Sequence, residues 1–336
     1  MIRTAVIMAG GSGERFWPMS RTMKPKQLLN LASDKTMLED SILRISPLIP
    51  PEDIFIITSQ VLLEPIRKAL PQLPPENVVA EPVKRNTAPC LALAAAFIAE
   101  RYSEEGLDIS DISVAVLTAD QNIYPNDEFI RTVGAGLNYV EKNNCLATIG
   151  IQPDRPETGY GYIEVETQFD KKKNEPEIKP VIRFLEKPSL VRAEEFLKKG
   201  NYLWNSGMFF WRLDTFIASM INSTPEIGNK IDEIRKSYSK KTRLALPEAL
   251  DRITPLFDKF PNISIDYALM EKADNVVVTK ATFLWFLLSE CKEKVMYAFS
   301  SKSIYLAIVF LSIPIVDDNS LSDTSFPSCK EIALVN

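Results

Sequence analysis

Thr4-Ala5-Val6-Ile7-Met8-Ala9-Gly10-Gly11-Ser12-Gly13-Glu14-Arg15 opens as an apolar run and breaks into three glycines. Side chains that are apolar at every position, whichever face they point to, describe a strand buried on both sides, as in a parallel sheet covered by helices. Runs of the same kind recur at 54–58, 78–80, 114–118 and 146–151, with amphipathic stretches between them at 37–45, 88–102 and 129–142. This alternation predicts an α/β fold with a doubly wound, mostly parallel sheet. Ligands bind such sheets at the carboxyl ends of the strands, so the loops that begin at Gly10, Glu81 and Asp120 are expected to converge.

Farther along, the pattern loosens. A polar tip at 170–177 predicts a hairpin between 160–165 and 181–185, followed by helices at 190–199, 215–222 and 247–256 and a strand at 276–283. From about Phe286 the chain changes character, becoming serine-rich and free of glycine, without the turn chemistry expected around strands. Residues 1–285 therefore read as one domain and 286–336 as an atypical C-terminal tail.

The chain of 336 residues contains no histidine. That excludes Ser-His and Cys-His nucleophile pairs and imidazole metal sites, and leaves carboxylates, Lys, Arg, backbone N–H groups or a metal to carry any chemistry. A net charge of −5 argues against a broad basic surface for nucleic acid. Cys90, Cys145, Cys291 and Cys329 lack metal-ligand spacing and read as thiols in a reducing cytoplasm. The apolar run 304–316 is shorter than the roughly 20 residues of a membrane span. The sequence does not fix an oligomeric state, and a homodimer is compatible with it.

Glycines let a backbone turn sharply and bring N–H groups against phosphate oxygens, so Gly10, Gly11, Ser12 and Gly13, with Arg15 and Lys26 nearby, suit a phosphate loop. The stretch is neither a Walker A loop nor G-x-G-x-x-G, and by spacing alone it reads equally well as a plain strand-to-helix turn. Six more motifs follow in order. They are Glu81-Pro82 with Asn86-Thr87-Ala88-Pro89, then Leu117-Thr118-Ala119-Asp120, then Arg155 through Ile163 (RPETGYGYI). After these come Phe184-Leu185-Glu186-Lys187-Pro188, Trp204 through Phe209 (WNSGMF), and Ser264 through Lys272 (SIDYALMEK).

Together with GGSGERFWPMSRTMKPKQ, these motifs resemble the sugar-phosphate nucleotidyltransferases, and the phenylalanine-tryptophan pair resembles their mannose-1-phosphate guanylyltransferase branch. The resemblance covers about residues 2–285 and implies a Rossmann-like nucleotidyltransferase fold that converts GTP and α-D-mannose 1-phosphate to GDP-mannose and pyrophosphate. It implies nucleotide binding by Gly10, Gly11, Ser12, Gly13, Glu81, Asn86, Thr87 and Ala88. A carboxylate at Glu81 matches the paired N1–H and N2–H₂ donors of guanine, although a cap on the following helix is the plainer reading. Tyr160, Gly161, Glu186, Lys187, Asn205 and Gly207 are implied to bind the sugar phosphate. Arg15, Lys26, Lys187 and Asp120 are implied to be catalytic, with Asp120 holding Mg²⁺, a hard ion that prefers oxygen. Asp266 has no assignable role, and a helix cap fits it as well as a site does.

The chain departs from the family at two points. Gln121 stands where many relatives have histidine. After Trp285, where relatives keep an aspartate as a second metal ligand, the sequence runs Phe286-Leu287-Leu288-Ser289. The abrupt change of composition beyond suggests a frameshift. Three readings follow: an active guanylyltransferase, a homologue that binds nucleotide without turnover, and a nucleotidyltransferase for another base or sugar phosphate.

Overall fold

A computed structural model of the chain describes residues 1–11, 20, 25–30, 34–170, 175–238 and 246–287, all within the compact unit Met1–Ser289. The opening strand β1 (Ile2–Met8) lies inside a nine-stranded sheet. It is flanked by parallel β2 (Ile54–Ser59) and β4 (Ile112–Thr118), with Val6 opposite Phe55 on one side and Val116 on the other. β3 (Val78–Glu81) extends the sheet beyond β2. On the other side, β9 (Tyr202–Arg212) runs antiparallel between β4 and β6 (Leu146–Ile151), and β10 (Val276–Lys280) lies parallel to β6. The predicted hairpin is present as antiparallel β7 (Tyr162–Val165) and β8 (Ile178–Leu185).

Successive side chains of a strand point to opposite faces, and the core divides accordingly. Val6, Phe55 and Ile57 pack with α3 (Thr87–Ser103), whereas Ala5, Ile7, Ile54 and Ile56 pack with residues of α1 (Met37–Ile45), α2 (Gln60–Ala69) and α4 (Asn126–Val140). Helices therefore cover both faces, as the doubly wound reading requires. α1 starts at Met37 because Thr36 and Glu39 form a reciprocal cap: the Thr36 hydroxyl accepts from the Glu39 N–H (3.2 Å) and the Glu39 carboxylate from the Thr36 N–H (2.7 Å). α3 is apolar almost all round because, besides the sheet, it packs against the helices Leu213–Ser223 and Ile231–Ser237.

Two features depart from the sequence expectation. The strand expected at 276–283 ends at Lys280, and the chain then crosses to pair its next strand, β11 (Leu284–Leu287), antiparallel with β5 (Gln121–Tyr124). The physical cause is packing against a helix distant in sequence: Phe283 packs edge-on against Phe129 of α4 (5.6 Å), and the Thr282 and Thr132 hydroxyls meet at 3.1 Å. The second feature is β9, whose register with β6 slips between Thr148 and Gly150. Gly207 takes a left-handed φ of 73° at this irregularity, open to glycine at little cost.

Candidate active site

At the end of β1, the Ala9 carbonyl accepts from the Gln27 amide (2.7 Å) and the Thr58 hydroxyl (3.1 Å), and Gln27 also donates to the Gly11 carbonyl (3.2 Å). These bonds fix the start of the glycine loop. Glu81, the last residue of β3, reaches over it. A methyl on Gly10 would lie 3.1 Å from Glu81 Oε2, so a larger residue there would crowd the carboxylate. Glu81 Oε1 is buried without a hydrogen-bond partner. Burial pushes this carboxyl up to about 7, against the opposing charge of Lys84. Glu81 is not the cap of α3: Asn86, at φ 69°, accepts from the Thr87 N–H (2.9 Å). The Ala88 N–H donates to the Ile263 carbonyl (3.2 Å), and the Thr87 hydroxyl accepts from the Ile265 N–H (2.8 Å). The Thr87 and Ala88 N–H groups thus have protein partners.

Asp120 follows β4 and pairs with Lys26, both side chains being about a quarter exposed. Among the described residues no group of three or more Cys, Asp or Glu side chains is placed to hold a metal. Next along the chain, Gln121 is buried and donates to the Ser206 carbonyl (2.5 Å), leaving its own Oε1 without a partner. The polar contact at this position is thus made by an amide that ties the Asp120 loop to β9. Leu287 of β11 pairs by register with Gln121, beside Asp120.

On the other side of β9, the Asn205 N–H donates to the Gly161 carbonyl (2.8 Å). A methyl on Gly161 would lie 2.6 Å from Glu186 Oε2, so any larger residue there requires this carboxylate to shift from its position. Lys187, at φ 43°, places its ammonium 3.2 Å from Glu186 Oε1 and stays 64% exposed, available to an incoming anion. Tyr160 packs edge-on against Trp204 (5.2 Å) and Trp285 (5.4 Å), with its hydroxyl buried and unpartnered. Asn205 donates to Asp266 (2.7 Å) and accepts from the Gly207 N–H (3.1 Å) and the Thr148 hydroxyl (3.3 Å). Asp266 is raised from the ordinary carboxylate value, first by burial and then by the charge of Glu186.

The structure thus groups Gly10 with Glu81, Lys26 with Asp120, and Gly161 with Glu186, Lys187, Asn205 and Gly207. Gly207 approaches the strand before Asp120, its added methyl position lying 3.8 Å from Thr118 Cγ2. Ser12, Gly13 and Arg15 lie outside the described residues, as do Cys291 and Cys329. Gln27 closes the opening motif but was assigned no role, and Thr148 escaped the sequence reading. Thr148 is a lone polar side chain between Ala147 and Ile149, and that is the signal that could have found it. Cys90 and Cys145 are buried free thiols whose ionisation burial opposes, so both are poor nucleophiles.

A family model described as "Nucleotidyl transferase" matches residues 4–249. The chain belongs to the nucleotidyl transferase family. Within that family, the chain is 37% identical over 286 residues to a mannose-1-phosphate guanylyltransferase of Escherichia coli strain K12, covering 83% of this chain and 56% of that protein. A mannose-1-phosphate guanylyltransferase of Sinorhizobium fredii is 36% identical over 286 residues, covering 83% of this chain and 52% of the relative. The chain therefore spans about half the length of these curated relatives. Among solved structures, one from Thermus thermophilus described as a mannose-1-phosphate geranyltransferase superposes with a TM-score of 0.72 at 29% identity. It covers 90% of this nucleotidyl transferase and 80% of its own chain. A Helicobacter pylori structure described as mannose-6-phosphate isomerase shares the fold, with a TM-score of 0.64 at 23% identity.

Proposed function

We propose that this nucleotidyl transferase domain moves a guanylyl group from GTP to α-D-mannose 1-phosphate, forming GDP-mannose and pyrophosphate. The observation that carries this reading is the buried carboxylate of Glu81 over Gly10, with one oxygen unpartnered. A two-pronged acceptor satisfies the adjacent N1–H and N2–H₂ donors of guanine, whereas adenine offers no such pair. The names of the relatives support the same base and sugar.

A sugar-phosphate oxygen forms a bond to the α-phosphorus of GTP, and the bond from that phosphorus to the bridging oxygen breaks, with the electron pair leaving on pyrophosphate. A phosphate monoester has a second pKa of about 6, so the nucleophile arrives ionised and needs no general base. The absence of histidine is then no handicap. What the chain must supply is position and countercharge. Lys26, held by Asp120 at the end of β4, would neutralise nucleotide phosphates, as would Arg15; exposed Lys187 would receive the sugar phosphate. Glu186 and Asn205 would accept from and donate to sugar hydroxyls beside Gly161.

Asp120 is an accessible hard-oxygen donor, and Mg²⁺ is commonly held by one or two carboxylates plus substrate phosphates. The donor set therefore fits a cation whose other ligands come from the nucleotide, and Mg²⁺ so held would offset charge on the phosphate oxygens. The test is pyrophosphate release from GTP and mannose 1-phosphate with Mg²⁺, run against a panel of nucleoside triphosphates and sugar phosphates. Release with GTP and mannose 1-phosphate above all other pairs is expected. No release from any pair, with GTP still bound, would leave a binding protein in place of an enzyme.

A further inference from the structure

Asp266 is the first residue of the π-helical turn Asp266–Met270, whose N-cap position is Ile265, so Asp266 stands inside the turn and does not occupy its cap position. Instead, its carboxylate accepts from Asn205 Nδ2 at 2.7 Å. A carboxamide can rotate by 180° with little change of shape, exchanging its acceptor for its donors, and only its partners decide which way it points. For Asn205 all three partners agree. The Gly207 N–H (3.1 Å) and the Thr148 hydroxyl (3.3 Å) demand an oxygen, while the Asp266 carboxylate demands N–H. In the reversed orientation the carbonyl would face a carboxylate and the amide would face a backbone donor. With this set in place, one Nδ2 hydrogen of Asn205 remains for a ligand beside Gly161 and Glu186.

Asp266 is itself anchored from the opposite side of the site. The segment that presents it is tied to the first turn of α3: the Ile265 N–H donates to the Thr87 hydroxyl (2.8 Å), and the Ile263 carbonyl accepts from the Ala88 N–H (3.2 Å). α3 is a 17-residue helix with most of its residues buried, so the anchor is rigid. Thr87 and Ala88, which the sequence resemblance places at the nucleotide, are thus also the footing of the segment that reaches the sugar side.

We propose that Asp266 is a positioning residue for the sugar-phosphate subsite, acting through Asn205 by locking its amide so that Nδ2 faces the sugar. This assignment rests on the guanylyltransferase reading. A side chain that fixes the geometry of a binding group without touching the ligand affects the affinity for that ligand and spares the other substrate.

Steady-state kinetics of the full chain with GTP and mannose 1-phosphate tests it, using Asp266→Leu, Asp266→Asn, Asn205→Ala and the Asp266→Leu/Asn205→Ala double variant. Asp266→Leu is expected to raise KM for the sugar phosphate about tenfold, the worth of one lost charge-assisted orienting bond, with KM for GTP unchanged. Asp266→Asn keeps an acceptor for Asn205 and should restore most of the loss. In the Asn205→Ala background, Asp266→Leu should add nothing, because the group it orients is gone. Equal impairment of Asp266→Asn and Asp266→Leu would mean that the carboxylate itself meets the sugar, which overturns the positioning role. So would fully additive losses in the double variant. Thermal unfolding of each variant separates a fall in folded fraction, which lowers kcat alone, from the KM effect. A wild-type chain that neither turns over nor binds mannose 1-phosphate overturns the functional reading and this assignment with it; a working wild type with an unmoved Asp266→Leu overturns the assignment alone.

Discussion

Replacing Glu81 by glutamine should strengthen the fold and weaken the function, with both effects following one titration curve. Burial raises the Glu81 carboxyl to about 7 in the free protein, from the 4.5 of an exposed glutamate. The ionised form is the one that the fold disfavours. Stability due to this group is therefore fully present below the unfolded pKa and is lost as pH rises through 7, with a span of roughly 3 kcal/mol. A Glu81→Gln variant does not ionise, so it should gain up to roughly 3 kcal/mol over wild type at pH 8 and gain nothing at pH 4. Guanine, by contrast, needs the carboxylate. About nine-tenths of the carboxyl is ionised at pH 8 and about one-tenth at pH 6, so GTP should bind about tenfold more tightly at the higher pH. Binding at pH 7 should release protons, because guanine donors draw the carboxyl towards ionisation. Glutamine offers one acceptor and sets a donor against a donor, for a loss of at least about 2 kcal/mol, or about thirtyfold in Kd. Denaturant unfolding across pH gives the first curve. Calorimetric titration of both proteins with GTP gives the second, and the variant corrects for ionisation of the nucleotide itself. Unchanged GTP affinity in Glu81→Gln, together with an equal pH dependence in the two proteins, would refute base reading by this carboxylate. A variant less stable than wild type at pH 8 would refute the uncompensated burial on which the argument stands.

Lys26→Ala should lower turnover by well over tenfold, since a countercharge on the phosphates is worth several kcal/mol in such sites. Its thermal unfolding should move little, because the Asp120 partner is part-exposed; unchanged turnover would remove Lys26 from the catalytic group. Gly161→Ala places a methyl 2.6 Å from Glu186 Oε2, so the carboxylate must shift from the position it holds, and KM for mannose 1-phosphate should rise about tenfold while GTP binding holds.

The parts of the fold legible in the sequence are those in which a single period dictates burial. The helices at Met37–Ile45 and Leu190–Lys199 and the strand Leu146–Ile151 fall where their spacing puts them. β9 was not legible as a strand, because Asn205-Ser206-Gly207 interrupts its alternation with polar and glycine residues in order to present Asn205. The break between β10 and β11 was hidden for the opposite reason: 276–283 is apolar enough to read as one strand, and only the contact of Phe283 with Phe129, distant in sequence, turns the chain.

For the site the division is sharper. Motif chemistry names Glu81, Asp120, Glu186 and Asn205 one at a time, yet no spacing rule states that Asp266 is Asn205's partner, 61 residues away, or that Gln121 holds the carbonyl of Ser206. Such pairings are set by which strands lie side by side. β9 passes between β4 and β6, and this alone brings Asn205, Ser206 and Gly207 against Thr118, Gln121 and Thr148. The same logic gives meaning to the departure after Trp285. In the sequence it is an aspartate missing from a motif; in the sheet, the backbone register of β11 with β5 pairs that position with Gln121, the residue after Asp120. Among the described residues the ion pair of Asp120 is with Lys26, and under the proposed function a divalent cation at Asp120 would draw its remaining ligands from the nucleotide phosphates.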